Sequence, residues 1–413
     1  MKILIVNTSE NEGGAARAAN RLYTSLLNEN IDVDYFVDSK TSDNYKVLAL
    51  TSKLDKIKRI FRQQYDQIKV KLYKNRTGMI FSPNNTIFTD KFIKKIDEIN
   101  PDIVHLHWVN GGMINIKDLI KINKPIVWTM HDSWLFTGGC HLPYDCEKFK
   151  TKCERCPVLG SSKDNDLSSK IFSLKKLIFP KLKLNIATPS NWLGINCKKS
   201  ILLKDKNINV IPNPIDTDMY KPISKTISRE LLRLPNDKQI ILFGASSATS
   251  DVNKGFKQLS ETIDKLNLEN ILLVVMGGSE PKENNIFKYP TRYLGHLNDD
   301  LSIKLVYNSA DVSVVPSLSE NLSNTIMESL ACGTPVVGFD IGGNSDMIEH
   351  KLNGYLAKPF DATDLKDGIE WVLNNPNYDE LCVNAREKVM REFDSKVVAS
   401  KYISLYKKVL NGN

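Results

Sequence analysis

The chain has 413 residues, 41% of them hydrophobic and 25% charged, with a formal net charge of +8. That length calls for two domains with separate cores, and the ordinary composition excludes a disordered or fibrous chain. The opening MKILIV carries a strand-length apolar run, and no segment approaches eighteen uninterrupted apolar residues, so neither a signal-peptide core nor a membrane span is expected.

The first predicted strand, KILIV, runs into NTSENEGGAARAANRL, where Gly13 and Gly14 open a helix. Paired glycines let backbone approach a ligand just where helix N–H groups point outward. The strand VDYFV follows. Residues 51–76 then hold nine Lys or Arg against two Asp, a local net of +7. Within them Leu54, Ile57, Phe61, Ile68 and Leu72 fall close to helical spacing, with Ile60 and Tyr65 widening the stripe. Such a helix either lies on an anionic bilayer or packs its stripe on a core with the lysines solvated. Nucleic acid fits least, because no nucleic-acid motif accompanies the charge.

The strands DIVHLHW, PIVWTM and LNIATPS complete the first half, with His131 just beyond the second of them. Between them CHLPYDCEKFKTKCERC sets Cys140, Cys146, Cys153 and Cys156 within seventeen residues. In a cytosolic protein such density favours a metal over disulfides, and four thiolates suit tetrahedral zinc. His141 could replace one ligand, and an iron–sulfur cluster is a lesser alternative. A structural zinc knuckle beside His131 is therefore expected.

After NVIPNPIDTDMYKP the pattern restarts with QIILFGA, NILLVVMGG, TRYLGH, ADVSVVPS and PVVGF. Gly244 ends the first of these strands, and Lys254 with Gly255 opens a helix. A Lys there is a point charge for phosphate. In SLSENLSNTIMESLACGTPVV, Glu320 lies in a polar loop and Glu328 about one turn into a helix spanning Thr325 to Ala331. Asp299 and Asp300 in NDDL read as helix caps rather than metal ligands. The alternation predicts two doubly wound parallel-sheet α/β domains, 1–212 and 213–393, with ligand between them. A last helix at 394–413 is expected to pack back on the first domain.

The loop EGGAAR, His131 in WTMHDSW, IPNPID, KGF, and the E-x7-E pair running into ACGTPVV together resemble glycosyltransferase family 4 over essentially the whole chain. The resemblance implies the GT-B fold, two Rossmann-like domains facing a cleft. It implies transfer of a sugar from a UDP-, GDP- or ADP-sugar with retained configuration and no metal needed for catalysis. The acceptor would be a glycan or a lipid-linked glycan in surface polysaccharide or lipopolysaccharide synthesis. The expected location is the cytoplasm or the inner face of the cell membrane.

In that resemblance Glu320, His131 and Lys254 serve the reaction, Lys254 at the pyrophosphate and His131 at the donor sugar. Glu328 takes the ribose hydroxyls, and Leu322, Ser323 and Asn324 offer helix N-terminal N–H groups. Gly244, Gly295 and Leu297 line the nucleotide, while Gly13 and Gly14 face acceptor or phosphate. Two departures stand out: Ala248 where an Arg is common, and Asn321 where a Gly follows the first acid. An epimerase, a phosphorylase, or an inactive zinc-braced binding protein on the same fold are the alternative readings.

Overall fold

A computed structural model describes residues 1–244, 251–278, 287–297 and 299–412. It divides into two compact units, Met1–Asn213 with Val398–Asn413, and Pro214–Val397.

Unit 1 begins β1 (Lys2–Ser9), α1 (Gly14–Asn28), β2 (Asp32–Ser39), β3 (Val47–Ala49), α2 (Lys53–Lys71) and α3 (Asp90–Ile99). It continues with β4 (Ile103–Leu106), β5 (Ile126–Thr129), α4 (Leu167–Ile178), β6 (Leu184–Thr188), α5 (Asn191–Lys199) and β7 (Asn207–Val210). All seven strands are parallel, in the order β3-β2-β1-β4-β5-β6-β7. The strands read as unbroken apolar runs because both faces are covered. Along β1, Leu4 and Val6 enter one core layer while Ile3 and Ile5 enter the other, the alternation a pleated strand imposes.

Unit 2 repeats this plan with α6 (Lys225–Leu232), β8 (Gln239–Gly244), α7 (Phe256–Lys265), β9 (Ile271–Met276), β10 (Thr291–Gly295), α8 (Asp300–Ser309) and β11 (Val312–Val315). There follow α9 (Asn324–Ala331), β12 (Val336–Phe339), α10 (Asn344–Met347), β13 (Gly354–Ala357), α11 (Ala362–Leu373) and α12 (Tyr378–Glu392). Its six parallel strands run β10-β9-β8-β11-β12-β13. In each sheet the strand order reverses once, between β1 and β4 and between β8 and β11. Doubly wound sheets place ligands at the carboxyl ends beside such a reversal.

The last helix, α13 (Ser395–Leu410), starts in unit 2 and joins unit 1 from Val398 onward. The Asp394 carboxylate accepts the Lys396 N–H at 2.9 Å, near the start of this helix. Val398, Tyr402, Leu405 and Tyr406 pack into the same layer as Ile3 and Ile5. The Tyr406 hydroxyl lies 2.7 Å from His105 Nδ1, and the Tyr402 hydroxyl lies 2.8 Å from Thr129 Oγ1. His105 Nε2 is 2.7 Å from the same Thr129 hydroxyl, so β4, β5 and α13 share one buried polar chain.

Candidate functional site

In unit 2 the acidic loop leaves β11 and enters α9, whose N-cap Ser323 accepts the Ile326 N–H through its hydroxyl. Ser323 and Leu322 are both buried, and Asn324 is the first helical residue. Glu328 sits one turn further in, only 3% exposed, where the Tyr307 hydroxyl of α8 donates to its carboxylate at 3.1 Å. Burial and the Glu328 charge push the Tyr307 phenol well above its ordinary range, so Tyr307 remains a donor.

Lys254 and Glu320 meet directly, Nζ to Oε1 at 2.8 Å, although 66 residues separate them. Both are partly exposed, at 25% and 14% of their side chains. The turn Val252–Lys254 holds the acidic loop through Asn253: its amide donates to Ser319 O at 2.9 Å, and its carbonyl accepts the Leu318 N–H at 2.9 Å. Two glycines make this closeness possible. Gly255 has φ 73°, and a Cβ there would lie 1.9 Å from the Pro316 carbonyl oxygen. Gly342, in the turn after β12, has φ 55°, and its Cβ would lie 1.7 Å from the Glu320 carbonyl oxygen. An L side chain would meet both strain and collision at either position.

Sequence reasoning missed Asn253, Tyr307 and Gly342. The only local signal was the Gly-Gly of DIGGNSD, which lies twenty-two residues beyond Glu320. The glycines expected to line the nucleotide occupy different settings. Gly244 closes β8, with a hypothetical Cβ 2.9 Å from Met276 Cε. Gly295 closes β10 at φ 65°, with nothing within 4 Å of a Cβ, and its carbonyl accepts the Gly277 N–H at 2.7 Å. Leu297 is partly buried against the unit 2 core. Ala248 lies outside the described residues, as does Asn298 of the NDDL segment. Asp299 is the N-cap of α8 and accepts the Ser302 N–H at 2.7 Å.

In unit 1 the turn after β1 is open: residues 11–14 are exposed, and Gly13 has φ 90° with no atom within 4 Å of a Cβ. The buried Glu10 carboxylate anchors the turn by accepting N–H groups from Thr41 and Ser42 at 2.7 and 2.9 Å. His131 follows β5, and its Nε2 lies 2.9 Å from His107 Nδ1 with the rings stacked at 5.2 Å. Loss of solvation pushes His131 down to about 4 and His107 well below its usual value, so this pair is neutral at physiological pH. Asp132 fixes the neighbouring turn by accepting from Trp108 Nε1 at 3.1 Å and Trp134 N at 2.8 Å, and it holds His141 Nδ1 at 2.6 Å. Both histidines of HLH are buried, and Trp134 is a core residue whose indole donates to Ser82 O.

The cysteine loop brings its sulfurs within electrostatic reach of one another, Cys140, Cys153 and Cys156 buried and Cys146 half-buried. Backbone N–H groups point at two of them: Gly138 N at 3.2 Å from Cys153 Sγ, and Val158 and Leu159 towards Cys156. Burial pushes Cys153 up to about 12, and raises Cys140 and Cys156 too, so as placed they are thiols. Lys175, fully buried, hydrogen-bonds Trp134 O and Thr137 O and has its ammonium 3.5 Å from the Trp134 ring centre. Among the described residues, no group of three or more His, Cys, Asp or Glu side chains is arranged to hold a metal ion.

Comparisons with known proteins bear on the family and the fold. Residues 12–219 match the family model of Glycosyltransferase Family 4, and residues 224–389 match that of Glycosyl transferases group 1. An uncharacterized glycosyltransferase of Methanocaldococcus jannaschii is 26% identical over 331 residues, 74% of this chain and 82% of that protein. Sucrose-phosphate synthase from Thermosynechococcus elongatus superposes with a TM-score of 0.71 at 18% identity, covering 100% of both chains. HepE of Anabaena, in complex with UDP and glucose, gives 0.67 at 15% identity, covering 99% of this chain and 100% of that one. The fold is thus GT-B, and the chain belongs to glycosyltransferase family 4.

Proposed function

We propose that this glycosyltransferase moves a sugar from a nucleoside diphosphate sugar to a glycan or lipid-linked acceptor, with retained configuration and without a catalytic metal. Surface polysaccharide or lipopolysaccharide synthesis on the cytoplasmic side of the membrane is the setting that fits. The observation that carries this reading is the Lys254–Glu320 pair held over the loop that feeds α9, with Glu328 one turn behind. Lys254 would neutralise the departing diphosphate as its charge develops. Glu328, which accepts from Tyr307, is a carboxylate acceptor suited to the ribose diol. Glu320 would orient the sugar and favour positive charge at its anomeric carbon. The neutral imidazole of His131 suits a hydrogen bond to a sugar hydroxyl. The bond from the anomeric carbon to phosphate breaks while that to the acceptor oxygen forms on the same face. The acceptor proton passes to the leaving phosphate oxygen, so no separate general base is required.

The test is to find the donor by its protection of the protein against thermal unfolding, using a panel of UDP-, GDP- and ADP-sugars. The product's anomeric configuration is then read by NMR with and without EDTA. Retention and an unchanged rate in EDTA are expected, and inversion or loss of turnover in EDTA would refute the mechanism.

We also propose that Cys140, Cys146, Cys153 and Cys156 take a structural zinc ion. The N–H groups aimed at Cys153 and Cys156 suit thiolates. The buried Lys175 amine, pushed down to about 7 by loss of solvation, lies near Cys140 and Cys153 and would be held charged by thiolates there. Purified protein should carry about one zinc per chain and lose thermal stability on chelation. Absence of zinc and iron, with all four thiols freely alkylated, would sink the assignment.

A further inference from the structure

The fold turns α2 inside out relative to an ordinary surface helix. Its buried residues are Asp55, Arg62, Asp66 and Val70, three of them charged. Arg62 makes a buried ion pair with Asp38 at 2.6 Å and donates through Nε to Gly112 O at 3.1 Å. Asp66 accepts the Asn85 N–H at 3.0 Å, and Asp55 pairs with Lys91 at 2.7 Å. The helix is thus fastened by polar groups, and its apolar stripe is left outside. Leu54, Phe61 and Leu72 are 66%, 62% and 75% exposed, and Ile57, Tyr65 and Ile68 share their face. At 3.6 residues per turn these six form one band, with Lys53 and Lys71 along one edge and Lys58 and Lys69 along the other. A contiguous apolar band of this size on a soluble surface marks an interaction site.

A cavity of about 840 Å³ continues from the end of this band, sharing Lys69 and Leu72 with it. Five lysines line it: Lys69, Lys74, Lys117, Lys163 and Lys170, with Leu159, Ile171 and Leu174 among the apolar residues. No carboxylate is among its lining residues, and none of the five ammonium groups pairs with a described residue. Five uncompensated cations over an apolar wall suit an amphiphile with a negatively charged head.

We infer that α2 and this cavity together dock on an anionic phospholipid bilayer, the apolar band entering the interface and a headgroup phosphate occupying the lysine cavity. The charge complementarity selects this occupant: a lone apolar band would suit another protein, but band and lysine cavity are continuous. Each lysine near an anionic bilayer contributes roughly a fivefold gain in partition, and the apolar band adds a salt-insensitive component.

The full chain is sedimented with phosphatidylcholine vesicles and with vesicles containing one quarter phosphatidylglycerol, at low and physiological salt. Binding to the anionic vesicles alone is expected. Lys163→Gln with Lys170→Gln should cut that binding on the order of 20-fold. Ile57→Ser with Phe61→Ser should abolish the part that survives added salt. All four positions are exposed, and thermal unfolding of each variant checks that the fold is kept. Equal binding to both vesicle types, no binding, or variants that bind like the parent would overturn the inference. So would protection by inorganic pyrophosphate without vesicle binding, binding of duplex DNA in place of vesicles, or a dimer that dissolves on Phe61→Ser. None of these readouts needs sugar transfer, so failure here leaves the proposed reaction untouched.

Discussion

Glu320→Gln should lower kcat by about 10²–10³-fold, the usual cost of removing one preorganised electrostatic partner of the transition state. Its effect on binding should run the other way. Glu320 lies 2.8 Å from Lys254, so in the proposed reaction the acid would compete with the diphosphate for the same ammonium. Removing its charge releases Lys254 from that carboxylate. A partly exposed ion pair is worth about 1 kcal/mol at most, so affinity for the nucleoside diphosphate should stay level or tighten by up to about fivefold. Glu328→Ala should do the reverse, weakening nucleotide binding through loss of the acceptor offered to the ribose. Calorimetry with the nucleoside diphosphate on both variants, beside steady-state turnover, separates the two acids. A kcat for Glu320→Gln within threefold of the parent, or binding losses equal in the two variants, would reverse the roles assigned to them.

Unit 1 should lose stability steeply as the pH falls below about 6.5. His105 is fully buried and pushed down to about 3 by loss of solvation, and His107 is lowered in the same direction. Unfolded histidines take up protons near 6.5 while these two do not, so the unfolded state binds more protons in the window from 6.5 downward. Stability is therefore complete above the unfolded value and drains away as the pH drops. At pH 4.5 His105 alone should cost about 3 kcal/mol, which for a unit of this size is a fall in Tm of roughly 10 °C. Asp66, raised to about 6 by burial, and Asp38, also raised, act in the opposite sense over part of this range. His107 and His131 outweigh them. Melting curves at pH 7.5 and 4.5 for the parent and for His105→Gln test this. The drop should shrink in the variant, and an acid-insensitive parent or an undiminished drop would contradict the account.

Much of the architecture was legible in the residues. Apolar runs such as KILIV and NILLVV, each bounded by helical patterns, fix parallel strands covered on both faces. The E-x7-E pair before a short helix placed Glu320 and Glu328 on the loop and helix where they stand. Other features were closed to sequence reasoning because they are settled by distant partners. The helical spacing of Leu54, Ile57 and Phe61 identifies a stripe but not the direction it faces. That direction was decided by Arg62 finding Asp38 and by Asp66 finding Asn85. The pairing of Lys254 with Glu320 likewise depends on Asn253, Gly255 and Gly342 closing around a loop far away in sequence.

The return of α13 to unit 1 fixes an order of events during synthesis. The layer containing Ile3 and Ile5 lacks Tyr402 and Tyr406, and His105 lacks one of its two hydrogen-bond partners, until every element of unit 2 has left the ribosome. The half of the protein translated first is accordingly completed last. A chain stalled before Val398 would carry the residues of unit 2 complete, with unit 1 still missing a wall.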